Sequence, residues 1–148
     1  MHVRVAESGD ADALALLRWE MRTEDGDVCE DAPVFLERYR SSIREDDPTV
    51  TRWLAQDGER IIGTVTLRLA RKELSPDREA ADIGYLTNFF VQSGMRNAGI
   101  GGALLDALIT WARARPIELI IVWPSERSRS IYQRAGFTGA SDPQVLEL

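Results

Sequence analysis

Histidine, cysteine and lysine occur once each in this 148-residue chain, as His2, Cys29 and Lys72. A single cysteine forms no internal disulfide, which fits a reducing compartment. Together His and Cys supply too few ligands for a zinc site. A Ser-His-Asp or Cys-His system would have to recruit His2 from what reads as a strand edge. No apolar run approaches ~18 residues, and the first residues lack the basic-then-apolar pattern of a signal peptide, so a cytoplasmic protein without membrane contact is expected. Positive charge is also short: 18 Lys+Arg stand against 24 Asp+Glu, a net charge of −6. That balance excludes nucleic acid as the main partner and disfavours an anionic membrane surface. A hydrophobic content of 44% excludes disorder. The length predicts one domain, 1–148, burying roughly 68–70% of its unfolded surface with no staple.

Periodicity then divides the chain. Val3 to Ala6 alternates like a strand, Asp10 stands at an N-cap, and Leu14, Leu17 and Met21 give a helix over 11–22 its apolar stripe. Residues 24–31 read as an acidic loop, and Pro33 opens a second helix to about Arg44. Strands over 51–55 and 61–70 flank Asp57-Gly58, a hairpin signal. Residues 71–79 read as a further hairpin loop, and 82–91 as the next strand. Ile100, Leu104, Leu108 and Trp111 mark the strongest helix, 99–115, which Pro116 stops. The apolar run Ile117–Trp123 predicts a strand buried on both faces. A helix over 128–135 ends at Gly136, and a last strand includes Val145–Leu148. The order β-α-α-β-β-β-α-β-α-β predicts an α/β fold with a mixed sheet.

The chemistry concentrates where the strand ending Phe90-Val91 enters a glycine-rich turn and then a helix: Arg96-Asn97-Ala98-Gly99-Ile100-Gly101-Gly102. Glycines permit close backbone approach, and free N–H groups at a helix start, with the helix dipole, suit a pyrophosphate. Arg96 adds a fixed positive charge at the mouth. A Walker loop needs Lys-Ser/Thr after its last glycine, and Ala103 follows Gly102 here. A Rossmann fingerprint fails as well, because Gly99-Ile100-Gly101 continues to Leu104 and sits late in the chain. A tight turn holding no ligand is the remaining alternative.

The segment resembles the signature of the GCN5-related N-acetyltransferases, V-x-P-x-x-R-x-x-G-x-G, as Val91, Arg96, Gly99 and Gly101, with Ser93 where proline is usual. A second family signature, a short helix ending in Tyr and then Gly-Phe, is matched by Tyr132 to Phe137, with Ser125 where asparagine often precedes it. The element order is similar too, over nearly the whole chain. The resemblance implies a single-domain acyl-coenzyme A N-acyltransferase fold, with a mixed, mostly antiparallel central sheet flanked by helices. It implies acetyl-coenzyme A as cofactor, with its pyrophosphate on the N–H groups from Arg96 through Gly102. Its pantetheine arm would lie along Phe89, Phe90 and Val91 as an added strand. A strand N–H would stabilise the thioester oxyanion. Tyr132 takes the place of the donor to the departing thiolate.

For the acceptor the resemblance implies a primary amine, on a small molecule or a peptide, attacking the thioester directly. Asp82 and Glu79 are the carboxylates near the central strand that suit a base, or solvate its end. Asn88, an amide inside an apolar strand, orients substrate or water, or is a satisfied polar residue. The acidic run Glu20, Glu24, Asp25, Asp27, Glu30 and Asp31 attracts a cationic amine or is a solvated loop. Trp19 and Trp123 line the acceptor pocket or belong to the core. Family members commonly form homodimers. A binding module that holds acyl-coenzyme A without turnover is the other reading, and a retained Tyr132 favours the enzyme.

Overall fold

Alternating apolar side chains fold consecutive segments into an antiparallel meander, and one parallel strand completes it. The computed structural model describes residues 1–24, 26, 30–43, 47–76, 81–139 and 146. Along them run β1 (His2–Val5), α1 (Ala11–Thr23), α2 (Ala32–Ile43), β2 (Val50–Asp57), β3 (Arg60–Arg71), β4 (Asp82–Val91), α3 (Ile100–Arg113), β5 (Ile117–Ile121) and α4 (Arg129–Arg134). The sheet order is β1-β2-β3-β4-β5, antiparallel up to β4, with β5 parallel to β4. This is the expected mixed, mostly antiparallel sheet flanked by helices. The expected last strand lies outside the described residues except for Leu146, as do Glu79, Cys29, Asp25 and Asp27.

The α3 stripe of Ile100, Leu104, Leu105 and Leu108 is buried against Trp53, Val65, Leu67 and Leu86 of the sheet. Each such buried side chain contributes roughly 1.5–3 kcal/mol. Leu14 and Leu17 of α1 cover the opposite face, and α2 packs on α1, where the Trp19 and Phe35 rings lie 5.6 Å apart. Trp19 is therefore a packing residue.

Two expectations need correction. Asp10 does occupy the N-cap of α1, but its side chain makes no cap bond. It accepts from Arg4 at 2.7 and 2.8 Å and from the Glu7 N–H at 2.7 Å, because a charge-assisted fork outcompetes a neutral cap. The strand β5 is not buried on both faces: among the described residues it is the last strand of the sheet, it stops at Ile121, and Leu119 is 42% exposed.

A bulge in β4 sets the geometry that follows. Thr66 pairs with Thr87 and Thr64 with Phe90, so two β4 residues, Asn88 and Phe89, stand opposite Val65 alone. Asn88 takes φ +52°, the left-handed region that asparagine tolerates better than most residues. Its insertion keeps Leu86 and Phe89 both on the α3 side, and Thr87 and Phe90 both on the α1 side. Asn88→Val is expected to lose about 1–2 kcal/mol in chemical denaturation, and Asn88→Gly distinctly less. Equal losses would show that the backbone conformation is not what Asn88 supplies.

Candidate active site

The two central strands diverge. β4 and β5 stay paired only from Asp82↔Ile117 to Tyr85↔Ile121. Beyond that point β4 continues along β3, while the chain after Ile121 leaves the sheet toward Pro124. Among the described residues the β5-facing backbone edge of Leu86 to Val91 is left without a strand neighbour, as an added extended ligand requires. A cleft of about 1060 Å³ opens there, with Phe89, Phe90 and Val91 on one wall and Trp123, Ile131 and Tyr132 on the other. Trp123 stands at its mouth, 60% exposed, and meets Tyr85 edge to face at 5.4 Å. It lines the cleft and is not a core residue.

The glycine turn forms the floor of the cleft. The Gln92 N–H bonds Ile62 O at 3.0 Å, a short 3-10 turn covers Ser93–Met95, and Asn97 and Gly99 both take positive φ, +65° and +79°. Gly99 is the N-cap of α3, and the first bond of the helix is Ala103 N–H to Gly99 O at 3.0 Å. The N–H groups of Ile100, Gly101 and Gly102 therefore have no helical partner, and all three residues line the cleft. Asn97 and Gly99 line it as well, whereas Ala98 does not. The glycines differ in task. A Cβ on Gly101 would come within 2.7 Å of Ile131 Cδ1 and 3.1 Å of Phe89 Cζ, so that glycine serves packing. A Cβ on Gly102 would meet nothing within 4 Å and would project into open space. Free donors, a helix start and a bare glycine fit a phosphate group.

Arg96 is held in place. Its Nε donates to Val91 O at 3.0 Å, its Nη2 donates to both Glu24 oxygens at 2.7 Å, and its guanidinium lies over the Phe90 ring. It clasps the end of α1 to the glycine turn and is not a free charge at the mouth. Glu24 also faces Arg127 at 3.5 Å. Two other acids of the run are engaged too: Glu20 accepts from Gln92 Nε2 at 2.9 and 3.0 Å, and Glu30 pairs with Arg38, while Asp31 is exposed.

On α4, Tyr132 is buried between Phe89 and Phe137, with ring centroids at 5.6 and 5.4 Å. Removal from water pushes its hydroxyl up to about 12. It lines the cleft, and its hydroxyl has no hydrogen-bond partner among the described residues. Asn88 lines the cleft from the bulge, and its Oδ1 accepts from Arg18 Nη1 at 3.2 Å. Asp82 is not brought there. It begins β4, pairs loosely with Arg71 at 3.8 Å, and lies six strand residues before Asn88, about 20 Å at ~3.3 Å per residue. Sequence reasoning missed Arg18. The signal was present: four residues after Leu14, it falls on the apolar stripe of α1, where an arginine needs a reason.

Among the described residues no helix is long and apolar enough to cross a membrane. Residues 12–137 match the model of the acetyltransferase (GNAT) family. The chain is 31% identical over 111 residues, 75% of its length, to an aminoglycoside N(6')-acetyltransferase type 1 of Stenotrophomonas maltophilia, covering 67% of that protein. It is similar in fold to a predicted acetyltransferase from Clostridium acetobutylicum solved with acetyl-CoA, with TM-score 0.76, 21% identity, and 99% and 95% of the two chains covered. A GCN5-related N-acetyltransferase from Ralstonia eutropha shares the fold at TM-score 0.74 and 19% identity, covering 99% and 97%.

Proposed function

The chain belongs to the acetyltransferase (GNAT) family, and on that premise we propose that it transfers an acetyl group from acetyl-coenzyme A to the primary amine of a small-molecule or peptide acceptor in the cytoplasm. When bound, acetyl-coenzyme A supplies an activated acyl carbon. The N–H groups of Ile100, Gly101 and Gly102 hold its pyrophosphate, and the unpaired edge of β4 at Phe89, Phe90 and Val91 aligns the pantetheine arm. The observation that carries the reading is Tyr132: a hydroxyl without a partner among the described residues, in an apolar setting, opening on that same cleft.

In the transfer a C–N bond forms and a C–S bond breaks; the amine loses a proton to water, and the thiolate, hydrogen-bonded by Tyr132, takes its proton from water. The carboxylates of described residues that line the cleft are Glu24, held by Arg96 and Arg127, and Asp106 on α3. Water is therefore the acceptor proposed for the amine's proton. Thiol release from acetyl-coenzyme A, followed over a panel of amines that includes aminoglycosides, tests the reading, with coenzyme A binding measured in parallel by calorimetry. Thiol release with at least one amine is expected. Tight coenzyme A binding without thiol release for any amine would overturn the enzyme reading and leave an acyl-coenzyme A-binding module.

A further inference from the structure

On the sheet face covered by α1 and α2, strand register collects arginines. Arg52 of β2 stands opposite Thr66 of β3, which stands opposite Thr87 of β4. Two residues along, Arg68 of β3 stands opposite Tyr85. Positions two apart share a face, so all five side chains leave the sheet on one side. Arg18 reaches the same region from α1 through its bond to Asn88. Tyr85, Thr87 and Asn88 line the cleft, and Arg68 and Arg52 stand one and two strands back from it on the same face.

Among the described residues these charges, Arg18, Arg52 and Arg68, have no ion-pair partner within 4 Å. Burial holds Arg18 and Arg52 below the usual arginine range, and the Tyr39 hydroxyl lies against Arg52. The nearby carboxylate, Asp47, is exposed and accepts from Thr49 N and Oγ1 at 2.9 and 2.7 Å. The Thr66 hydroxyl, between Arg52 and Thr87, is buried without a partner. Desolvating Arg18 and Arg52 with only the exposed Asp47 nearby is unfavourable unless a ligand brings an anion. Two of the acids on the α1 side are already engaged: Glu20 by Gln92, Glu24 by Arg96.

We propose that the acceptor carries, besides its amine, an oxyanion group, a carboxylate or a phosphate, which Arg52 and Arg68 bind with Arg18 behind them. This deepens the N-acetyltransferase reading and rests on it. A guanidinium presents paired donors that match either oxyanion, and the distance from the sheet face to the cleft then selects amines with the anion at one end.

The test compares matched acceptors in the thiol-release assay: amino acids against their primary amides, O-phosphoethanolamine against ethanolamine, and an aminoglycoside. The anionic member of one pair is expected to have the higher kcat/KM by roughly tenfold to a hundredfold, the effect of a charge-assisted bond. Which pair responds distinguishes carboxylate from phosphate. Arg52→Gln and the exposed Arg68→Gln should each raise KM for that acceptor by about tenfold, with KM for acetyl-coenzyme A unchanged. Amides or aminoglycosides turned over as well as the anionic amines would overturn the proposal. A second readout needs no turnover: benzoate and inorganic phosphate, titrated separately into the whole protein, should shift the arginine Nε–H resonances lost in Arg52→Gln and Arg68→Gln. Unmoved resonances with both anions would overturn the anion site, whereas shifts without thiol release would sink only the transferase reading.

Discussion

Replacing Tyr132 by phenylalanine should lower kcat about a hundredfold to a thousandfold, the usual cost of removing one donor aimed at developing charge, while coenzyme A binding stays within about twofold. The ring packs between Phe89 and Phe137, and phenylalanine keeps those contacts. No described residue bonds the hydroxyl, so its removal leaves nothing in the fold unpaired. Its acidity defines the role. With the hydroxyl pushed up to about 12 and a thiol near ~8.5, full proton transfer to sulfur is uphill by about 5 kcal/mol. Tyr132 therefore donates a hydrogen bond that strengthens as charge collects on sulfur, and it keeps its proton. The rate should rise with pH as the amine becomes neutral and show no loss from Tyr132 below pH ~10. Stability gives an independent check with a definite sign. The folded value lies above the unfolded one of ~10, so the native state holds a proton that the unfolded chain releases. Stability is intact below pH ~10 and falls as pH rises toward 12, by about 2 kcal/mol more in the wild type than in Tyr132→Phe. Steady-state kinetics and urea melts at pH 8 and 11 read both effects. A phenylalanine variant with unchanged kcat would remove Tyr132 from the chemistry.

The floor of the cleft was legible because local physics determines it. A strand, a glycine turn and an amphipathic helix with Ile100, Leu104 and Leu108 on one stripe leave little choice of arrangement, and all fall where periodicity puts them. What sequence does not carry is where two strands part company. The run Ile117–Trp123 is as apolar as a doubly buried strand, yet among the described residues it pairs with β4 alone and ends at Ile121. Its last residue instead supplies an aromatic wall to the cleft. The Asn88 bulge was half visible, as an amide among apolar neighbours, but the two-against-one pairing with Val65 is a relation between strands. Charge meets the same limit. The acidic run suggested a cationic acceptor, and the sequence alone does not carry that Glu24 and Glu20 meet Arg96 and Gln92, which lie 72 residues away. The arginines without an ion pair among the described residues, Arg18, Arg52 and Arg68, are dispersed over 51 positions and meet only through sheet register and the packing of α1.

Gly102→Glu separates binding from folding at the other end of the cleft, and it should cost coenzyme A affinity about a hundredfold or more. Gly102 is the third residue of α3, where an acidic side chain favours the helix through its dipole, and glycine is about 1 kcal/mol poorer than an ordinary helix former. A Cβ there meets no atom within 4 Å. The variant should therefore be at least as stable as the wild type. The same carboxylate sits where the N–H groups of Ile100, Gly101 and Gly102 have no helical partner, so it occupies the space of a phosphate and repels it. Losing one or two charge-assisted bonds of about 1.5–3 kcal/mol each gives an effect of this size. Gly101→Ala makes the contrasting control. Its methyl would press on Ile131 Cδ1 at 2.7 Å and Phe89 Cζ at 3.1 Å, an overpacking worth about 1–3 kcal/mol of stability. Calorimetric titration with coenzyme A and thermal melts on both variants read the two effects apart. A Gly102→Glu protein that binds coenzyme A like the wild type would mean that the start of α3 does not hold the pyrophosphate, however well its free donors suit one.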